Sequence, residues 1–240
     1  MLKKILSVFL FLIVVNAAMA ASADTLVVRI KAMRCEECAN AVSNALRKNA
    51  GVQDLTFNLE RRTVAVAFDP AKINTDSICA ILTATGRYKP STYDPKEKIR
   101  RGMGLKAEEM KTEADAEFIK KNLYEMVGMD SVGPNLAKGY IFVRYDANKT
   151  TKATIRQKLL DIGFTPVSYY TSNIISFAYF KMPAEAATEE NLELILGLDG
   201  VEDVNANPAR GSLAITYVNN QTTEEKLLSD IQAEGLKVSK

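Results

Sequence analysis

Histidine and tryptophan are both absent from this 240-residue chain. Without histidine, the commonest acid/base group near neutral pH and the commonest nitrogen ligand for zinc are missing. Cysteine occurs three times. That is too few for a disulfide-built scaffold, and the odd number leaves at least one thiol unpaired within the chain. An excess of charge is missing as well. Without Lys3 and Lys4 the 31 basic residues become 29, against 29 acidic ones. Neither nucleic acid nor an anionic membrane is therefore expected as the main partner, since both reward a basic excess. The apolar run at residues 5–15 falls short of the ~20 residues that a membrane span needs. With no nucleophile paired to a base and no cofactor loop, no enzyme is expected; a thiol oxidoreductase is the one enzymatic alternative worth testing.

That short apolar run has its own meaning. It follows Lys3 and Lys4 and precedes Ala18-Met19-Ala20, the order of a secretory signal peptide. Residues 1–20 are expected to be removed, with Ala23 as the second choice of cleavage point. The mature protein is then periplasmic or secreted, with no stable insertion in a membrane.

The rest of the chain repeats itself. A shift of 77 residues carries Met33 onto Met110, Gly51 onto Gly128, Asp69 onto Asp146 and Gly86 onto Gly163. A shift of 149 carries Met33 onto Met182, Gly51 onto Gly200 and Gly86 onto Gly235. One unit is written three times. In the first, residues 25–31 alternate as a strand, and Ala41, Val42, Ala45 and Leu46 recur at helical spacing up to Gly51. Two strands follow at 52–59 and 63–68, then a helix marked by Ile78, Ile81 and Leu82, and a short final strand near Tyr88. The order βαββαβ is the split βαβ, or ferredoxin-like, unit. The fold class is therefore α+β, with three tandem ferredoxin-like units after the leader, at residues 24–91, 102–170 and 173–240. The second is expected to lack a regular first strand, because GLKAEEM at 104–110 has helix-forming composition. Residues 93–101 are expected to be the linker before it.

One motif carries chemistry. Met33-Arg34-Cys35-Glu36-Glu37-Cys38 places two thiols, two residues apart, where a strand gives way to a helix. The spacing lets both sulfurs converge on one ion, and the free N–H groups of the helix start favour thiolates. Two thiolates with no histidine and no third sulfur nearby suit a linear, soft ion. Cu(I) meets that description better than zinc, which seeks four ligands. Hg(II) and Zn(II) are the alternatives. The corresponding columns hold Thr112 and Asp115 in the second unit and Ala184 and Ala187 in the third, neither a pair for a soft metal.

The stretch 25–90, with MRCEECANAVSNAL, AGVQDL and TGRY, resembles a heavy-metal-associated domain. That family includes copper chaperones, the N-terminal modules of copper-transporting ATPases and periplasmic mercury-binding proteins. The resemblance implies the ferredoxin-like fold, a ligand role for Cys35 and Cys38, and for Met33 a buried packing role beneath the loop. It implies as partner, besides the metal, a metal transporter or another metal-binding domain. The chain departs from the pattern in places. Ala32 stands where glycine is common, and Arg34 where Thr or Asp is usual. Glu36 and Glu37 add negative charge beside the thiolates. Arg34 and Arg87 are the cations expected to offset it, Arg87 because the loop after the second helix lies beside the metal loop in this topology. The competing reading is a protein-interaction module whose C-x-x-C forms a structural or redox-active disulfide. Cys79, inside the second helix, reads as packing.

Overall fold

The computed structural model describes residues 23–240, so the expected leader lies outside the described residues. The chain divides into two compact bodies, one ending at Thr92 and the other comprising Tyr93–Lys240.

The first body is a single βαββαβ repeat: β1 (Asp24–Arg29), α1 (Glu36–Leu46), β2 (Val52–Asn58), β3 (Thr63–Phe68), α2 (Thr75–Ala84) and β4 (Ser91–Thr92). Its antiparallel sheet runs β2-β3-β1-β4. The order follows from alternation along the strands. Val28, Val64, Val66 and Phe68 turn to one face, where Val42 and Leu46 of α1 and Ile78 and Leu82 of α2 meet them in one core. The strand-to-helix loop that follows β1 is thereby fixed at one end of this core.

The second body holds the other two repeats. One comprises β5 (Arg100–Lys106), α3 (Glu113–Tyr124), β6 (Met129–Asn135), β7 (Tyr140–Asp146), α4 (Lys152–Asp161) and β8 (Val167–Ser168), with sheet order β6-β7-β5-β8. The other comprises β9 (Ile175–Lys181), α5 (Glu189–Leu196), β10 (Val201–Asn207), β11 (Ser212–Val218) and α6 (Glu224–Ala233), with order β10-β11-β9. Its final strand is reduced to a bridge between Lys181 and Ser239.

The first strand of the second repeat corrects the sequence reading. β5 is regular over seven residues and pairs with both β7 and β8. It begins at Arg100, inside the stretch read as linker, and the helix formers Ala107, Glu108 and Glu109 fall in the loop after it. Leu105 is buried, and Met103 packs partly against the same core, while Arg100 and Gly102 face solvent. Ile99, just before the strand, is 1% exposed. Charge on the solvent face disguised a half-buried strand.

The triplication is visible in hydrogen bonds. In each repeat the second strand shifts register one residue after it begins, at Val52/Asp54, Met129/Ser131 and Val201/Asp203. The glycine just before it accepts the same backbone bond each time: Gly51 from Asp69 (2.8 Å), Gly128 from Asp146 (2.8 Å) and Gly200 from Val218 (2.7 Å). Gly128 adopts φ +93°, a backbone that side-chain-bearing residues rarely take.

Within the second body the two repeats are locked together. Arg156 of α4 reaches both carboxylate oxygens of Asp203 on β10, at 3.1 and 2.8 Å, and the Ser168 backbone N–H donates to the same carboxylate at 2.7 Å. The Thr216 hydroxyl donates to the Ser168 carbonyl at 2.7 Å, and the Asn205 amide to the Pro166 carbonyl at 2.8 Å. The rings of Tyr140, Tyr169 and Phe177 stack in series, with centroids 4.7 and 5.8 Å apart. Nearly all of β11 is buried as a result. Among the described residues no helix is long and apolar enough to cross a membrane.

Candidate metal site

The loop between β1 and α1 is tied down before it presents its sulfurs. Ile30 is fully buried, its N–H donates to the Arg62 carbonyl at 2.8 Å, and the Met33 N–H donates back to the Ile30 carbonyl at 2.9 Å. Arg62, in the turn just before β3, has φ 56° and sends its guanidinium to the Lys31 carbonyl at 3.1 Å. Sequence reasoning did not foresee this brace. No local signal marks it, because the contact depends on the strand pairing. Partial burial holds the Arg62 guanidinium below its ordinary range, with repulsion from Arg34 and Arg29 adding to the effect. Three cations therefore lie at the base of the loop.

Cys35 is the N-cap of α1, with extended backbone, and its sulfur accepts the Cys38 N–H at 3.3 Å. Thiol chemistry is thus placed on a cap position that normally favours Ser, Thr, Asp or Asn. Cys38, in the first turn, is 5% exposed and packs in the first core, while Cys35 is half-buried. Their Cα atoms are 5.1 Å apart, and the two sulfurs are paired as a disulfide. Reduced, the same pair offers two soft donors on one side of a loop, with backbone N–H groups favouring the anionic form. This donor set fits an ion content with two sulfurs; among the described residues no group of three or more Cys, Asp or Glu converges on a metal position.

The surrounding charges oppose one another. The Glu37 carboxylate lies 4.0 Å from the Cys35 sulfur, which disfavours a thiolate there. Arg34 is exposed beside it. Arg87 is exposed in the loop after α2, its guanidinium 5.4 Å from the centroid of the buried Tyr88 ring. Met33 is fully buried in the first core.

Cys79 is half-buried on α2 and packs against that core. Burial, then the Asp76 carboxylate, pushes its thiol up from the ordinary value, so it stays protonated well above neutral pH. Cys79→Ala is expected to leave metal affinity unchanged and to cost about 1 kcal/mol of stability. In the reduced protein, alkylation near pH 8 is expected to modify Cys79 more slowly than an unfolded thiol. A tenfold loss of affinity in the alanine variant would instead put Cys79 at the metal.

The other repeats keep the cap and lose the sulfurs. At the N-terminus of α3 the Thr112 hydroxyl accepts the Asp115 N–H at 3.1 Å, and the Asp115 carboxylate accepts the Thr112 N–H at 2.8 Å, a reciprocal capping box. These are the positions of Cys35 and Cys38, with oxygen in place of sulfur. The Thr112 hydroxyl, then the Lys111 and Thr112 N–H groups, donate to the Asp115 carboxylate and hold that carboxyl below the usual range. In the third repeat Met182 directly follows β9, whereas three residues separate β5 from Met110. Helix α5 starts only after Thr188, leaving Ala184 and Ala187 around a single short turn.

Residues 27–87 match the heavy-metal-associated domain. The copper-transporting ATPase HMA5 of Oryza sativa is 23% identical over 212 residues, spanning 86% of this chain and 21% of the ATPase. The chain thus covers about a fifth of the length of that relative. The copper chaperone CopZ of Staphylococcus epidermidis is 33% identical over 52 residues, 22% of this chain and 76% of the chaperone. Among solved structures, the N-terminal soluble domains of Bacillus subtilis CopA align with 21% identity and a TM-score of 0.29, covering 65% of this chain and 99% of that one. With its matched segment spanning the Cys35–Cys38 loop and most of the first repeat, this chain belongs to the heavy-metal-associated domain family.

Proposed function

We propose that this chain binds one soft metal ion, Cu(I) first, between the thiolates of Cys35 and Cys38. It works as a buffer or carrier in the periplasm or another secretory compartment. The observation that carries the reading is the capped helix start that brings both sulfurs to one point. The chain's similarity to a copper chaperone and to a copper-transporting ATPase supports copper over zinc and mercury. The donor count sets copper apart from zinc, which seeks four ligands and finds two here. On binding, each thiol gives its proton to solvent. On release, an incoming thiolate of a metal transporter or another metal-binding domain forms its bond to the ion as a Cys35 or Cys38 bond breaks. Arg34 and Arg87 serve as cations around the loop, and Met33 packs beneath it.

The paired sulfurs favour one second reading, an interaction module whose Cys35–Cys38 disulfide is structural or redox-active. Anaerobic titration of the fully reduced protein with Cu(I), against a competing chelator, separates the two. One tight equivalent per chain is expected, with Zn(II) unable to displace it. No binding stronger than the chelator's would remove the metal function.

A further inference from the structure

The outer face of the second repeat's sheet holds a hollow of about 730 Å³, lined by Lys98, Arg100, Arg101, Asp130, Phe142 and Arg144 over a floor of Gly102 and Ser131. Three cations on this face, Lys98, Arg100 and Arg144, surround one carboxylate, Asp130, which is already ion-paired with Lys98. Arg144 lies opposite Gly102 in the β5–β7 register, and Arg100 is two residues before Gly102 on the same face. Like charges on such diagonal neighbours repel. Neither arginine has an ion-pair partner among the described residues. Asp146, opposite Arg100, spends its carboxylate on the Ile99 and Asn148 N–H groups, at 3.0 and 3.1 Å. The Phe142 ring is 40% exposed, with the Arg144 guanidinium 5.6 Å from its centroid.

The fold does not require these arginines. The first repeat, in the same register, places Ala67 opposite Thr25 and has Ala65 and Asp54 nearby. The third places Thr216 opposite Phe177 and has Ala214 and Asp203. Neither sister face carries a cation at these positions. In the third repeat, moreover, the face is closed: Thr216 and Ala214 are fully buried, and Asp203 is held by Arg156 and Ser168 of the second repeat. In the second repeat the same face is open, basic and hollow.

We propose that this hollow binds a small organic ligand with at least two anionic groups, carboxylate or phosphate, held by Arg100 and Arg144 with Phe142 against its carbon body. Guanidinium forks match the paired oxygens of both groups. The volume lies within the ~300–1,000 Å³ typical of small-molecule sites. Gly102, with no side chain, lets the Phe142 ring lie close over the sheet, where its face can meet the ligand's carbon body.

The test uses the full chain, with calorimetry for affinity and amide NMR shifts for position. Citrate probes polycarboxylates, glucose 1,6-bisphosphate probes phosphate esters, and acetate is the single-charge control. Citrate or the bisphosphate is expected to bind at least tenfold more tightly than acetate, moving the Gly102, Ser131 and Gly133 amides. Whichever binds more tightly names the anionic group, and equal binding supports a site for either. Arg100→Gln and Arg144→Gln are each expected to weaken binding roughly tenfold by removing a charge-assisted fork, and the double variant to abolish it. Lys121→Gln, exposed on α3, should change nothing. The proposal is overturned if neither polyanion binds at about 10 mM, a threshold already corresponding to very weak affinity. It is equally overturned if the shifts map elsewhere, or if the double variant binds like the parent.

Discussion

Cys35→Ser and Cys38→Ser are each expected to lower Cu(I) affinity by orders of magnitude while leaving both bodies folded. A serine hydroxyl stays protonated at neutral pH and is a hard donor, whereas the soft ion selects thiolate. With two sulfurs as the whole donor set, losing either leaves a single anchor. The two variants should differ in stability. At position 35 the serine oxygen can accept the Cys38 N–H that the sulfur now accepts, and Ser is among the best N-cap residues, so Cys35→Ser should lie within about 0.5 kcal/mol of the parent. Cys38 is 5% exposed in the core, so its hydroxyl replacement should cost about 1–2 kcal/mol from burying a polar group. Affinity by chelator competition and stability by denaturant unfolding give the two readouts on the same reduced samples. Full-affinity binding by the Cys35→Ser, Cys38→Ser double variant, or two tight ions on the parent, would place the metal elsewhere.

The contrast with the second repeat shows what makes a metal site here. Thr112 and Asp115 perform the same capping with oxygen, so the cap itself is structural and the sulfur adds the chemistry. That distinction was legible in the sequence because both ligands lie within one helical turn. So was much of the fold. In the first unit Ala41, Val42, Ala45 and Leu46 marked a helix before Gly51, and α1 indeed ends at Leu46. Strand β5 was harder, because its solvent face carries arginine and its interior two glycines of low strand propensity. What the sequence hid most completely is long-range. The Arg62 brace spans 31 residues to Lys31, and the Arg156–Asp203 pair spans 47. Neither has a periodicity or a spacing to reveal it. The fusion of the second and third repeats into one body rests on such contacts, which is why the chain reads as three like units and folds as two bodies.

That fusion supports the last expectation. Asp203→Ala should destabilise the second body by about 3 kcal/mol, the low end for breaking a buried ion pair, since both partners retain some solvent contact. The side chains of Arg156 and Asp203 are 21% and 18% exposed. Without the carboxylate, the guanidinium keeps only carbonyl partners, from Pro166 and Val204, and the Ser168 N–H loses its acceptor. The cost thus comes from charge left poorly matched, more than from the attraction lost. Arg156→Met should cost a similar amount by stranding Asp203. The double variant Arg156→Met, Asp203→Leu should recover a large part of the loss, because apolar residues of similar volume need no partner. With no tryptophan in the chain, far-UV circular dichroism during denaturant unfolding is the suitable probe. For a body of this size the single variants should also melt roughly 5–10 °C lower. Cu(I) affinity should not change, because Cys35 and Cys38 belong to the other body. If Asp203→Ala unfolds within about 0.5 kcal/mol of the parent, the range of ordinary surface substitutions, then the stacked rings and the remaining hydrogen bonds hold the two repeats together without this ion pair.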